Sequence, residues 1–281
     1  MQAQIAVSGD GESWFLLGAS PDLRSQIEAT PELHPRTGVR QSPISGVVLT
    51  SADLDHVLGL LLLRELQPLQ VFSTMSVLQV LRRDNSFFGM LRRIPRQVEW
   101  STFVPATDFE LMSSNGDRSG LVCTPVPLGT RYPAYVTQSR VEQLRPEDAV
   151  TGLIVESPGE SLMTGESGGQ RLAYLSAVGH IDDALIETLR GVDVLLFDGT
   201  FWSDDELIRV ESSGATARQM GHVPVGGPDG SLRRLARLRA KKKIFIHINN
   251  TNPMLNEASA EYREVRDAGW ELAEDGWQCT L

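Results

Sequence analysis

Two carboxylates and an imidazole fall within four residues in Asp53-Leu54-Asp55-His56, just after the largely apolar run Ile44–Leu49 and the step Thr50-Ser51-Ala52. Such groups are costly beside a core strand unless a charge or a hydrogen bond compensates them. A metal ion is a charge that both group types bind, so the segment reads as a candidate metal loop. Asp53 and Asp55 also suit a helix start, where a carboxylate accepts the first backbone N–H groups. Capping needs one carboxylate and not the neighbouring histidine, which leaves one ligand beside one cap or base.

Four of the five histidines stand at the end of an expected strand or at a glycine turn. His247 closes the strand expected over Lys243–Ile248 and opens His247-Ile248-Asn249-Asn250-Thr251-Asn252-Pro253, a polar tract that cannot extend a strand. His222 follows Gly221 and precedes Val223-Pro224, and Asp198 ends the run Val192–Phe197. Metal ligation is expected of Asp55, His56 and His247, with His222 as a further candidate. His180, in Gly179-His180-Ile181-Asp182-Asp183, reads as the lead-in to a helix whose first turn favours the two aspartates. His34 lies in a Pro-rich loop and reads as surface.

The elements that must position these groups are short. Gln4–Ser8 and Trp14–Leu17 read as strands joined by an Asp10-Gly11 turn. Helices are expected over Asp22–Ala29, from about Val57 to Gln67, and over Thr74–Arg82, where Ser73 or Thr74 caps the start. Strand-like segments follow at Val98–Phe103, Phe109–Met112, Leu121–Val126, Gly152–Glu156 and Arg171–Ser176. Beyond them, Asp182–Leu189, Leu232–Leu238 and Ala260–Ala268 read as helices around the strands Val192–Phe197 and Lys243–Ile248. Two strand-rich blocks, each ending in helices and buried strands, fit an α/β, αββα sandwich: two packed mixed sheets with helices outside, in a single domain over 1–281.

Composition narrows the partners. A formal net charge of −10 argues against broad binding to nucleic acid or to a membrane surface. The cluster Arg233-Arg234…Lys241-Lys242-Lys243 reads as a solvated face at a helix end. Cys123 and Cys279 form no closely spaced pair, so a reducing, cytoplasmic setting is expected. No apolar run approaches the roughly 18 residues that span a bilayer.

These residues resemble the metallo-β-lactamase superfamily and, within it, the coenzyme PQQ (pyrroloquinoline quinone) synthesis protein B family. Nearly the whole chain takes part. The pieces that carry the likeness are Ala19-Ser20-Pro21-Asp22, Thr50–His56, Phe197-Asp198-Gly199-Thr200-Phe201-Trp202, Gly221-His222-Val223-Pro224 and His247–Pro253. The superfamily's His-x-His-x-Asp-His motif falls on Ser51, Asp53, Asp55 and His56, so its first two histidines are replaced. Its later bridging aspartate falls near Ser176–Gly179, which holds none. The resemblance therefore implies one metal position, held by Asp55, His56 and His247. It also implies a Cys-rich structural zinc segment ahead of the first strand; this sequence starts downstream of that piece, as either a truncated sequence or a divergent short member would.

One carboxylate with two imidazoles is the ligand set of mononuclear Fe(II) oxygenases, and imidazole suits zinc as well. The family implies an iron-dependent hydroxylase acting on a tyrosine-derived PQQ precursor with O2. Asp53 is then expected as the catalytic group that orients a ligand or accepts the phenol proton. Ser51, Asp198, Asn249 and Asn250 are expected to contact substrate or metal-bound water, and Arg24, Arg40 and Arg131 to meet acidic substrate groups. A zinc-dependent hydrolase and a non-catalytic PQQ carrier are the alternatives. An exposed edge strand would allow a homo-oligomer.

Overall fold

Short apolar runs between turns build the strands, and a computed structural model describes residues 3–36, 41–63, 68–113, 115–157, 169–211 and 214–281. The backbone divides into two units, Met1–Gly169 and Gln170–Leu281.

In the first unit, Ile5–Val7 (β1), Trp14–Leu17 (β2), Ile44–Val48 (β3), Leu69–Thr74 (β4) and Val98–Phe103 (β5) form one sheet in chain order. β1 and β2 are antiparallel across the expected turn, where the Asp10 carboxylate accepts the N–H groups of Glu12 and Ser13. The remaining neighbours are parallel. Phe15, Leu16, Leu17, Val47, Val48 and Leu49 are fully buried, as a sheet covered on both faces requires. Phe109–Met112 (β6), Arg118–Gly129 (β7) and Val150–Ser157 (β8) form an antiparallel meander. Its β8 holds the candidate metal loop directly, because both the N–H and the hydroxyl of Thr151 donate to the Thr50 carbonyl.

The helix expected from Val57 to Gln67 is shorter. One α-turn, Leu54–Val57, passes into a 3-10 turn over Leu58–Leu62, and residues 64–67 lie outside the described set. Gly59 lies in the 3-10 turn, where a Cβ would lie 2.3 Å from the Ser20 carbonyl oxygen. The helix expected over Thr74–Arg82 does start at Met75, with the Thr74 hydroxyl accepting from the Val77 N–H, and widens into a π-turn over Val80–Asp84.

The second unit is a parallel sheet of Gln170–Leu175 (β9), Val194–Asp198 (β10), Lys242–Ile246 (β11) and Glu271–Leu272 (β12), adjacent in chain order. The helices Asp183–Thr188 and Ala260–Asp267 lie in its connections. The helix expected over Leu232–Leu238 is a single turn, Ser231–Arg234. In parallel sheets, ligands gather beyond the carboxyl ends of the strands. Thr50–His56 follows β3, Asp198 ends β10 and His247 follows β11. Among the described residues no helix is long and apolar enough to cross a membrane.

Candidate metal centre

In the first unit, Asp53 is extended and the chain turns helical at Leu54, which sets Asp55 and His56 on one turn. Asp55 Oδ2 lies 3.5 Å from His56 Nε2, with His56 buried and the Asp55 side chain 34% exposed. Two atoms each about 2.1 Å from one ion at a tetrahedral angle stand about 3.4 Å apart, so this pair matches two coordination positions. The other ring nitrogen, His56 Nδ1, lies 3.4 Å from the Thr50 hydroxyl. Behind the turn, the Ala19 N–H donates to the His56 carbonyl at 2.7 Å, and the Gly59 N–H donates to the Ala19 carbonyl at 2.8 Å.

The loop before this turn is pinned from within. The hydroxyl oxygen of Ser51, a residue expected at the substrate, accepts the Asp53 N–H at 3.2 Å and so shapes the loop. Tyr135 donates its phenol O–H to the Ala52 carbonyl at 2.6 Å. Burial, reinforced by the Asp53 charge, pushes that phenol far above its ordinary value and keeps it a donor. Sequence reading missed Tyr135, because nothing in Pro133-Ala134-Tyr135 marks a partner 83 residues away.

In the second unit, three loops bring Asp198, Thr200, His222 and His247 together. Asp198 is fully buried, and four donors converge on its carboxylate. Oδ1 accepts the Thr200 N–H at 3.0 Å and the Thr200 hydroxyl at 2.5 Å. Oδ2 accepts the Val178 N–H at 2.8 Å and meets His222 Nδ1 at 2.7 Å. Both oxygens of Asp198, a residue expected at the substrate, thus face protein donors in the core. The Thr200 oxygen also lies 2.7 Å from His247 Nδ1 and 3.1 Å from His222 Nδ1. The two rings are stacked at 5.4 Å, and Asp198, His222 and His247 each place a ligand-type atom within 4.8 Å of the others.

His247 has φ of 55°, in the left-handed region that a β-carbon disfavours. Such a conformation persists where the surroundings over-determine it. Here the Asn249 N–H donates to the Thr200 carbonyl, and the Asn252 side chain donates to the Gly199 carbonyl. Asn249, expected at substrate, gives its side-chain amide to Thr251, whose hydroxyl donates to the buried Glu206. Asn250 is exposed.

Arg24 pairs with Glu28 one helical turn on, and Arg40 lies outside the described residues. His34 Nε2 meets the Ile27 and Glu28 carbonyls and closes a helix end. His180 is exposed, and Asp182 caps the helix after it by accepting the Leu185 N–H.

A model of the β-lactamase superfamily domain matches residues 13–248. Coenzyme PQQ synthesis protein B of Methylobacterium nodulans is 39% identical over 280 residues, covering 100% of this chain and 87% of that protein. Its counterpart in Gluconacetobacter diazotrophicus is 40% identical, covering 99% and 87%. This chain belongs to the coenzyme PQQ synthesis protein B family. A crystal structure of Zn2+-bound PqqB from Methylobacterium extorquens superposes with a TM-score of 0.86 at 37% identity, covering 100% of this chain and 88% of that one. A diphosphatase of the PhnP family, 22% identical with a TM-score of 0.62 over 100% and 84% of the chains, shares the fold. The metallo-β-lactamase fold expected from Thr50–His56 and its companion motifs is therefore the fold of this PQQ synthesis protein B family member.

Proposed function

We propose that the chain acts in PQQ biosynthesis as a metal-dependent oxygenase that hydroxylates a tyrosine-derived precursor. The metal position is assigned to Asp55, His56 and, from the sequence motif, His247. The observation that carries this reading is the 3.5 Å separation of Asp55 Oδ2 and His56 Nε2, which suits two ligands of one ion. A set of one carboxylate and two imidazoles suits Fe(II), which when bound would supply the activation of O2.

The chain's own groups do the rest. Asp53, two residues before Asp55 and only partly buried, is the carboxylate placed to accept a phenol proton. Tyr135 and Ser51 hold the backbone of Ala52 and Asp53, so that carboxylate is presented from a fixed loop. His222 is given a supporting role in this reading, with its Nδ1 against the Asp198 carboxylate.

The zinc in the Methylobacterium extorquens relative favours a second reading, a hydrolase in which zinc polarises water. Anaerobic purification followed by metal analysis and oxygen uptake, with a tyrosine- or catechol-like substrate, separates the two. About one iron per chain with substrate-dependent oxygen uptake supports the oxygenase. Full activity with zinc under anaerobic conditions replaces it with the hydrolase, and tight PQQ binding without turnover replaces both with a carrier.

A further inference from the structure

The hydrogen atoms available around Thr200 can be placed in one consistent way. The Asp198 carboxylate receives two backbone N–H groups, from Val178 and Thr200, which can only donate. The same carboxylate faces the Thr200 hydroxyl at 2.5 Å and His222 Nδ1 at 2.7 Å. An ionised carboxylate only accepts, so Thr200 spends its single hydroxyl hydrogen on Asp198 and His222 donates from Nδ1. The Thr200 oxygen is then left with lone pairs, and His247 Nδ1 lies 2.7 Å from it. If His247 Nδ1 were also a lone pair, two acceptors would face each other at that distance.

We propose that Thr200 is a positioning residue that fixes the Nδ1–H tautomer of His247 and so makes Nε2 the lone-pair nitrogen offered to a metal. Asp198 acts at one remove, by orienting the hydroxyl. Ligating histidines commonly donate their other N–H to a carboxylate or carbonyl. Here a hydroxyl is interposed between carboxylate and imidazole. The Thr200 carbonyl, bonded to the Asn249 N–H, adds a backbone tie to the segment that keeps His247 in its left-handed conformation.

The same atoms invite a second assignment, a metal ion among Asp198, His222 and His247. The four donors on Asp198 count against it, because an ion there would have to displace hydrogen atoms already directed at both oxygens. The relay accounts for every hydrogen named; the ion does not.

The inference rests on the reading of His247 as a ligand, and its test separates the two. In the metal-free full chain labelled with 15N-histidine, His247 is assigned by comparison with His247→Ala. Its ring nitrogens are expected to show one tautomer, protonated at Nδ1. Thr200→Val removes the hydroxyl at nearly constant shape and should abolish that single-tautomer signature; Thr200→Ser should restore it. Zn2+ affinity, measured against a competing chelator, should fall about 10- to 100-fold in the valine variant and recover in the serine variant. A wild-type His247 protonated at Nε2 overturns the inference, as does a valine variant that keeps both the tautomer and the affinity. Undiminished metal binding by His247→Ala overturns the ligand reading and leaves the tautomer result standing.

Discussion

His222 Nδ1 lies 2.7 Å from Oδ2 of Asp198, whose side chain has no solvent exposure. Burial opposes the carboxylate charge. The charge of His222, its hydrogen bond, the His247 ring and the Thr200 hydroxyl outweigh burial and hold the carboxyl below its ordinary range. Deleting one partner of a buried pair strands the other, so His222→Ala is expected to cost about 3 kcal/mol of stability. Urea denaturation measures it. A loss below about 1 kcal/mol would mean that the two backbone N–H groups and the threonine hydroxyl suffice for Asp198.

Gly59→Ala is expected to damage the metal loop without touching a ligand. The new Cβ would meet the Ser20 carbonyl oxygen at 2.3 Å and the Ala19 carbonyl carbon at 2.8 Å. Both are backbone atoms, so the turn carrying His56 must move away from the segment that holds its carbonyl. Overpacking of this kind costs about 3 kcal/mol. Thermal melting and Zn2+ binding should both fall; an unchanged Zn2+ affinity would show that the turn keeps its place without that contact.

Much of this was legible in the residues. Ile44–Leu49 is rich in β-branched residues and largely buried, so a strand followed by acids and a histidine announced both β3 and the loop after it. The polar tract after His247 likewise marked the end of β11. The length of the helix after His56 was not legible, because Gly59 packs against the backbone of Ala19 and Ser20, a contact some 40 residues away that no periodicity records. Thr200 was equally silent. Its role depends on meeting side chains 22 and 47 residues on, and alone it looks like one more turn residue after Gly199.

Tyr135→Phe tests how far the loop depends on one phenol. The variant keeps the ring and removes the 2.6 Å hydrogen bond to the Ala52 carbonyl. That bond contributes about 1 kcal/mol, and its loss leaves a carbonyl in a buried loop with one partner fewer. Stability should drop by that amount and Zn2+ affinity should weaken, because Ala52 precedes the Asp53–His56 turn. Equal stability and affinity in both proteins would reduce Tyr135 to a packing residue.

Asp193 gives a pH-dependent prediction away from the metal loop. Its carboxylate accepts the Arg171 N–H at 2.9 Å and pairs with Lys241 at 2.9 Å, joining the starts of β9, β10 and β11. The Arg171 N–H first, then Lys241, hold the carboxyl below its ordinary value of 3.8, against a smaller opposing effect of burial. A carboxyl favoured in its ionised form by folding stabilises fully above the unfolded value, and that stability is lost as pH falls through the lower folded value. Asp193→Asn keeps an oxygen for the Arg171 N–H and loses the charge facing Lys241, which is 70% exposed. The expected cost is therefore only about 0.5 kcal/mol at neutral pH, and smaller still at high salt. Denaturant titrations of the two proteins should differ by that amount near pH 7 and converge as pH drops below 3.8. A difference that stays constant across the series would place the effect in the Arg171 hydrogen bond and not in the charge.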